Sequence, residues 1–334
     1  MKRKKPQGDE LIIFCKEWDK SDRATKQRVV EFYGTTYGTA CNWRSQASVV
    51  HPLPYVETPT DKYAKQTLIR SLSYLPPRSG ATNAPLTLNT KGAVQTVAII
   101  NDTHNPYQDT TALALVETLL HEVQPDVLVY NGDVNDFYQI SSFDKDPKRM
   151  GQMQQDVNTV KDMFNRHNVQ LPNTRKILLG GNHEDRLQRF LWSKSPALSS
   201  LDCLTITELY GLKDKEIEYL PPECGLLVNG IFLIIHGTLC SMNSSYTAKR
   251  MFDRMGGSGI HGHTHRGGSY YKRNRFGIHG WYENFCLCDL NPDWVPHPDW
   301  QHGFSLVHFT SDHFWVEQLP IASSKLIYGG KIYE

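Results

Sequence analysis

No apolar run approaches the roughly 18 residues that a bilayer-spanning helix needs, so the sequence holds no candidate helical span. The basic start, Met1-Lys2-Arg3-Lys4-Lys5, is followed only by a short apolar patch ending at Phe14 and Cys15. That patch is too short for the apolar core of a secretory signal. Cysteine is sparse: seven residues (15, 41, 203, 224, 240, 286, 288), scattered and nowhere in CxxC spacing. This excludes a disulfide framework and a thiolate zinc finger, and the expectation is buried free thiols in a reducing cytoplasm. Cys286-Leu287-Cys288 reads as alternation along a strand. An excess of one charge is also missing, with 36 Lys and Arg against 35 Asp and Glu. Hydrophobic residues at 39% and charged residues at 21% describe an ordinary globular chain.

The balance of charge conceals an asymmetry. Residues 1–50 carry ten Lys and Arg against six Asp and Glu, while the rest of the chain is slightly acidic. A basic segment on an acidic body suits a polyanion. Residues 1–48 read as short helices: Leu11, Ile12, Ile13, Phe14 and Trp18 give one apolar face, and Ala24, Val29, Val30 and Phe32 another, ending at Gly34. Thr35 or Thr36 can cap a third helix through Ala40 and Trp43. The stretch KQRVVEFYGTTYGTACNWRSQ (26–46) resembles the homeodomain-like helix-turn-helix modules of transposases and phage terminase small subunits. The resemblance implies that Thr36, Tyr37, Thr39, Asn42 and Arg44 face a DNA major groove. A helical adapter for a protein partner is the plain alternative.

Residues 49–93 hold six prolines and no sustained periodicity, so they read as an extended linker. From residue 94 to 334 the texture becomes that of one α/β domain. Strands are expected over 94–101, 127–131, 176–180, 231–236, 259–261 and 304–309, with helices clearest over 110–123 and 153–167.

Five of these strands end in clusters of metal-capable side chains. After VAII comes Asn101-Asp102-Thr103-His104, and after VLVY comes Asn131-Gly132-Asp133. ILLG leads into Gly181-Asn182-His183-Glu184, FLII into His236-Gly237, and Gly259-Ile260 into His261-Gly262-His263-Thr264-His265. Ligands at strand carboxyl ends converge on one rim of a sheet. Two carboxylates, one amide and four imidazoles, without thiolate, suit Mn²⁺, Fe²⁺ or Zn²⁺ rather than Ca²⁺. Seven ligands exceed what one first-row ion uses while keeping water, and suit two ions sharing a carboxylate. The remaining histidines, among them His121, His167, His297, His308 and His313, lie outside these blocks and read as surface or core.

The series Asp-x-His, Gly-Asp-x-x-Asp, Gly-Asn-His-Glu, His-Gly and Gly-His-x-His, in order from Asp102 to His265, resembles the signature of calcineurin-like metallophosphoesterases. The resemblance implies a four-layer αββα sandwich behind a small all-α domain. It implies that Asp102, His104 and His265 hold one ion, that Asn182, His236 and His263 hold the other, and that Asp133 bridges them. It further implies hydrolysis by a hydroxide shared between two divalent ions, Mn²⁺ first with Fe or Zn²⁺ as alternatives. His183 would be the acid at the leaving oxygen, oriented by Asp136 and kept protonated by it. Arg186, Arg266 and Asn105 are candidate substrate contacts.

The protein serine/threonine phosphatase branch continues its second block with Arg-Gly, where this chain has Asp136-Phe137-Tyr138. GDVNDFYQISSFDKDPKR (132–149), GNHEDRLQRFL (181–191), GHTHR and NPDW…WQHGF (291–304) instead look like the metallophosphoesterases of tailed phages and prophages, often described as DNA-repair-exonuclease-like. That implies a host cytoplasmic setting. The expected function is a phosphodiesterase or nuclease acting on DNA, with no membrane partner and protein partners left open. A phosphomonoesterase or small-nucleotide phosphodiesterase with a protein-binding adapter is one alternative. A DNA-binding protein with a weakly active metal site is another.

Overall fold

The computed structural model describes Phe14, Trp18 and residues 23–33, 35–47 and 84–334, in two compact units that divide between residues 80 and 81. The N-terminal unit contains helices α1 (Arg23–Phe32) and α2 (Tyr37–Ala47). Its small core is Phe14, Trp18, Val30, Tyr33 and Ala40, with the Phe14 ring stacked on Trp18 at 5.7 Å and edge-on to Tyr33 at 5.4 Å. Thr36 takes the capping position: its hydroxyl accepts the Thr39 N–H at 3.3 Å and meets the Thr39 hydroxyl at 2.8 Å.

The second unit begins with β1 (Leu86–Leu88) and β2 (Gln95–Ile100), followed by α3 (Thr110–Val123), β3 (Val127–Asn131), α4 (Met153–Gln170) and β4 (Arg175–Leu179). Next come α5 (Asn182–Lys194), α6 (Ile206–Tyr210), β5 (Ile217–Leu220), β6 (Leu226–Val228), β7 (Phe232–Ile235), α7 (Tyr246–Met255) and β8 (Ser258–His261). The chain closes with β9 (Gly267–Asn274), β10 (Gly277–Asn284), β11 (His302–Phe309), β12 (Phe314–Ile321), β13 (Leu326–Tyr328) and β14 (Lys331–Tyr333). Two mixed six-stranded sheets result, ordered β12-β11-β2-β3-β4-β5 and β1-β6-β7-β8-β10-β9, with β13 and β14 as a separate hairpin.

Strand alternation builds the layers. Val97, Ile99, Val129, Ile177 and Leu179 point from the first sheet toward Val228, Phe232, Ile234 and Ile260 of the second, forming the inter-sheet core. Their neighbours Ala98, Ile100, Leu128, Tyr130 and Leu178 face α3, α4 and α5 through Val116, Leu119, Val160, Phe164 and Leu187. On the far side, Trp281 and Ile235 pack under Ala248, Met251 and Phe252 of α7. The architecture is therefore the αββα sandwich that the motif series implied.

The expected strands correspond to β2, β3, β4, β7, β8 and β11, and α3 has the expected limits, whereas α4 continues past His167 to Gln170. The segment read as a linker needs correction at its end, because β1 pairs in parallel with β6 and Leu88 is buried. Three residues following Pro85 are too short for periodicity to register. Its residues 49–83 lie outside the described residues.

Candidate metal centre

Every motif block sits where a strand of the sandwich ends. β2 delivers Asp102 and His104, β3 delivers Asp133, β4 leads into α5 and Asn182, β7 delivers His236, and β8 delivers His263 and His265. The chain turns sharply at these ends: Asp102, His104, Asp133, His263 and His265 all adopt positive φ, from 46° to 68°. L-residues pay for that conformation in strain, and it recurs where side chains must be aimed at a site. Gly132 (φ 87°) and Gly181 remove side chains that cannot fit, since a Cβ at Gly132 would collide with the His236 ring and one at Gly181 with the Asp133 carboxylate.

The donor atoms converge. Nε2 of His104 and Nε2 of His265 stand 3.0 Å apart, with Asp102 Oδ1 3.2 Å from the latter and 3.7 Å from the former. In a second group, His236 Nε2 lies 3.2 Å from Asp133 Oδ2 and 3.1 Å from Asn182 Oδ1. His263 comes together with Asp133 and His236 there, all three offering ligand atoms within 4.8 Å of one another. Asp133 Oδ2 is also 3.8 Å from His104 Nε2, so it stands between the two groups.

Hydrogen bonds behind the site fix the tautomers. His236 Nδ1 is 2.8 Å from the Asn131 carbonyl, which can only accept, so Nδ1 carries the proton and Nε2 presents its lone pair. His104 Nδ1 faces Asp136 Oδ1 at 3.3 Å with the same effect. The Asp102 carboxylate accepts the His263 N–H at 2.9 Å through Oδ2, while Oδ1 is buried without a partner. An orphaned carboxylate oxygen beside two convergent imidazole lone pairs is the chemistry of a candidate cation site. The four shortest donor separations, 3.0–3.2 Å, are those of groups that could share one ion.

The electrostatics agree. Burial opposes charge on His236, yet Asp133 outweighs it and pushes the group up to about 9. His104 is likewise raised against burial by Asp102 and Asp136. The carboxylates thus draw protons onto neighbouring imidazoles, the response of a site with surplus negative charge. His263 is pushed down to about 4 by burial and by His236.

His183 lies beside this cluster at the second position of α5. Its N–H donates to Asp133 Oδ1 at 2.9 Å, and its Nδ1 sits 2.8 Å from the Asp136 carbonyl and 3.3 Å from Asp136 Oδ1. Arg186 donates to the same carbonyl at 2.6 Å and reaches His183 Nε2 at 2.9 Å. Asp136 was expected to keep His183 protonated. It does pull that way, but burial is the larger influence and the pKa falls below the ordinary histidine value.

These groups open into a cavity of about 690 Å³ lined also by Arg186, Arg149, Tyr107, Trp294 and Trp300. Two expected substrate contacts are absent from its wall. Asn105 is buried, its amide donating to the Val134 carbonyl at 2.6 Å and to the Thr103 hydroxyl at 3.0 Å. Arg266 is 3% exposed and donates to the carbonyls of Ser241 (2.5 Å) and Met242 (2.9 Å) and to Asp299 (3.2 Å). Proximity in sequence to a motif block did not place either in the cavity, because each satisfies backbone groups of a loop behind it. His261 packs behind the site with Nδ1 accepting the Trp281 indole N–H at 2.9 Å.

Motif reading gave no role to Arg149, Trp294 or Trp300, although each fell in quoted segments. Glu184, within the third motif block, supports the site from behind. Its carboxylate accepts four backbone N–H groups, of Gly181, Asp133, Val134 and Asn135, at 2.8–3.3 Å. Phe137, at the place of the protein-phosphatase arginine, is a fully buried core residue stacked with Tyr210.

Thr36, Tyr37, Thr39 and Asn42 are all exposed; Thr36 also caps α2 and the Tyr37 ring lies 5.3 Å from that of Trp18. The Arg44 side chain lies outside the described residues.

Comparison with known proteins is consistent with this geometry. The family model described as Calcineurin-like phosphoesterase matches residues 95–295. The Gene 54 protein of Mycobacterium phage L5 is 25% identical, the alignment covering 71% of this chain and 98% of that protein. Among solved structures, Vps29 of Entamoeba histolytica complexed with Zn²⁺ aligns over 71% of this chain and 97% of its own, with 12% identity and a TM-score of 0.38. A dimetal phosphatase from Danio rerio aligns over 68% and 96%, with 10% identity and a TM-score of 0.36.

Proposed function

The chain belongs to the calcineurin-like phosphoesterase family, and on that premise we propose that it hydrolyses nucleic-acid phosphodiesters at a centre of two divalent ions. Asp102, His104 and His265 would hold one ion and Asn182, His236 and His263 the other, with Asp133 shared between them. The mixed oxygen and nitrogen donors suit Mn²⁺, with Fe or Zn²⁺ as alternatives. Bound ions would polarise the phosphoryl oxygens and lower the pKa of coordinated water.

The chain's own groups supply the rest. Arg186, at the cavity wall beside His183, is placed to bind a phosphoryl oxygen. His183 would give a proton to the leaving alkoxide, a contribution of about 10²–10⁴-fold, once Arg186 turns from its Nε2 to the phosphoryl oxygen and that nitrogen takes up a proton. Asp136 orients it from behind, and Glu184 holds the backbone that carries Asp133.

The observation that carries the diester reading is the wall of the cavity. A bare phosphoryl group would occupy only a corner of about 690 Å³, and the wall beyond the donor cluster carries five aromatic rings, of Tyr107, Tyr138, Phe143, Trp294 and Trp300, with Arg149 and Arg186, beside the acidic Asp144 and Asp289. The N-terminal unit would bring DNA to this site through α2, where Thr39 and Asn42 are exposed. The test offers Mn²⁺-loaded protein single- and double-stranded DNA, RNA, a bis-aryl phosphate and a mono-aryl phosphate, with Asp133→Asn and His183→Ala as controls. Turnover of the mono-aryl ester alone would overturn the diester reading, and undiminished activity in both variants would overturn the site.

A further inference from the structure

One wall of the cavity is made of stacked rings around a cation. The guanidinium of Arg149 lies 3.4 Å from the ring centre of Trp294 and 4.0 Å from that of Tyr138, so it is sandwiched between the two. Tyr107 meets Trp294 edge-on at 5.0 Å. The Nε of Arg149 is buried without a hydrogen-bond partner, and its charge is held against aromatic faces. Trp294 nevertheless remains 40% exposed and Phe143, farther along the same wall, 69% exposed.

Large aromatic surface left bare inside a cavity is costly, and a site keeps it when a ligand covers it. A cation laid on the rings holds them flat and leaves N–H groups for an anion. Flat apolar surface joined to a phosphate-binding cation, beside a phosphoester centre, is complementary to a nucleotide.

We propose that Trp294, Arg149 and Phe143 form a base-stacking subsite, so that the ester cleaved carries a nucleoside on its scissile phosphorus. This rests on the nucleic-acid phosphodiesterase reading and deepens it by naming the side chains that would hold the base next to the scissile phosphate. Trp294 supplies the stacking face, and Phe143, which also lines the cavity, adds apolar surface for the base. Arg149 keeps Trp294 in place and meets the phosphate next along the chain.

The experiment compares two diesters with one leaving group, thymidine 5′-(p-nitrophenyl phosphate) and methyl p-nitrophenyl phosphate, using full-length Mn²⁺-loaded protein. Stacking of one base is worth about 1–3 kcal/mol, so wild type should prefer the thymidine ester in kcat/KM by roughly 5- to 150-fold. Trp294→Ala should bring that ratio near one and Trp294→Phe should restore much of it. Because Trp294 lies on an exposed irregular segment, neither change threatens the core. A ratio near one in wild type, or one that Trp294→Ala leaves unchanged, overturns the subsite. Calorimetric binding of thymidine 5′-monophosphate provides the separate readout. If neither ester turns over but the nucleotide binds and Trp294→Ala abolishes it, the subsite stands and the diesterase reading falls. If the nucleotide binds wild type no better than methyl phosphate, the subsite falls whatever the turnover.

Discussion

The carboxylate of Glu184 accepts the backbone N–H of Asp133 at 2.8 Å, and with it those of Gly181, Val134 and Asn135. One buried side chain from the first turn of α5 thereby ties together the two turns that present Asp133 and Asn182. Glu184→Gln would place an amide NH₂ against N–H donors, leaving about two of them unsatisfied at ~1–3 kcal/mol each. Supports of this kind are typically worth about 10–100-fold in metal affinity. Calorimetric Mn²⁺ titration should show that weakening and thermal melting the lost stability. Unchanged affinity would reduce Glu184 to a helix cap.

His183 and the ion ligands should separate cleanly in mutants. His183→Ala removes a side chain that reaches the cavity while its backbone N–H still binds Asp133, so Mn²⁺ affinity should be nearly kept. Turnover of a diester with a poor alkoxide leaving group should fall by about 10²–10⁴-fold. A p-nitrophenolate leaving group needs little protonation, so its loss should be much smaller. Equal losses on the two substrates would show that His183 binds phosphate rather than delivering a proton. Asp133→Asn, in contrast, should abolish tight binding of metal.

Arg266 is expected to act on stability and not on substrate. Its guanidinium spans the carbonyls of Ser241 and Met242 and the Asp299 carboxylate. Arg266→Ala removes a 3% exposed side chain and its hydrogen bonds to the Ser241 and Met242 carbonyls and should cost about 1–3 kcal/mol, the Asp299 side chain being 61% exposed and adding little. KM for a diester should stay within about twofold, whereas Arg186→Ala should raise it by about tenfold, the loss of one charge-assisted bond. The opposite pattern would return Arg266 to the cavity.

How far residues alone reach follows from how each part is encoded. The residues that converge were legible because the pattern is local: a strand, a tight turn and a polar donor lie within a few residues, as in Ile100, Asn101 and Asp102. The strands that carry them were legible for the same reason. β9 and β10 escaped notice because GGSYYKRN and GIHGWYEN mix exposed and buried positions without a clear alternation, and they become a hairpin only by pairing with each other and with β8. β1 is three residues whose partner lies 140 positions away, at Leu226 to Val228. The cavity wall was hidden differently. Tyr107, Trp294 and the pair Tyr138 and Arg149 come from three separate segments, and nothing in the order of residues announces that they meet.

The same distance in sequence separates a buried network beneath β3 whose pH response can be worked out in sign. Tyr130 Oη lies 2.8 Å from His167 Nδ1, and His167 Nε2 lies 3.2 Å from the Glu117 carboxylate. With Nε2–H donating to Glu117 and the Tyr130 hydroxyl donating to Nδ1, a neutral imidazole satisfies every partner. Burial, working against Glu117, holds His167 below its ordinary value of 6.5. A histidine lowered in this way contributes its full stability above the unfolded pKa. Below it the unfolded chain binds the proton that the folded chain refuses, so stability falls with pH. Glu117 is lowered by His167 and Arg166 against burial, and adds a second loss below its ordinary value of 4.5. Urea denaturation of metal-free protein should therefore show declining stability from pH 7 toward pH 5. His167→Gln, which cannot titrate, should be less stable at pH 7 but show a shallower slope across that window. An identical slope in the variant would place the acid sensitivity elsewhere, in the histidines of the metal centre.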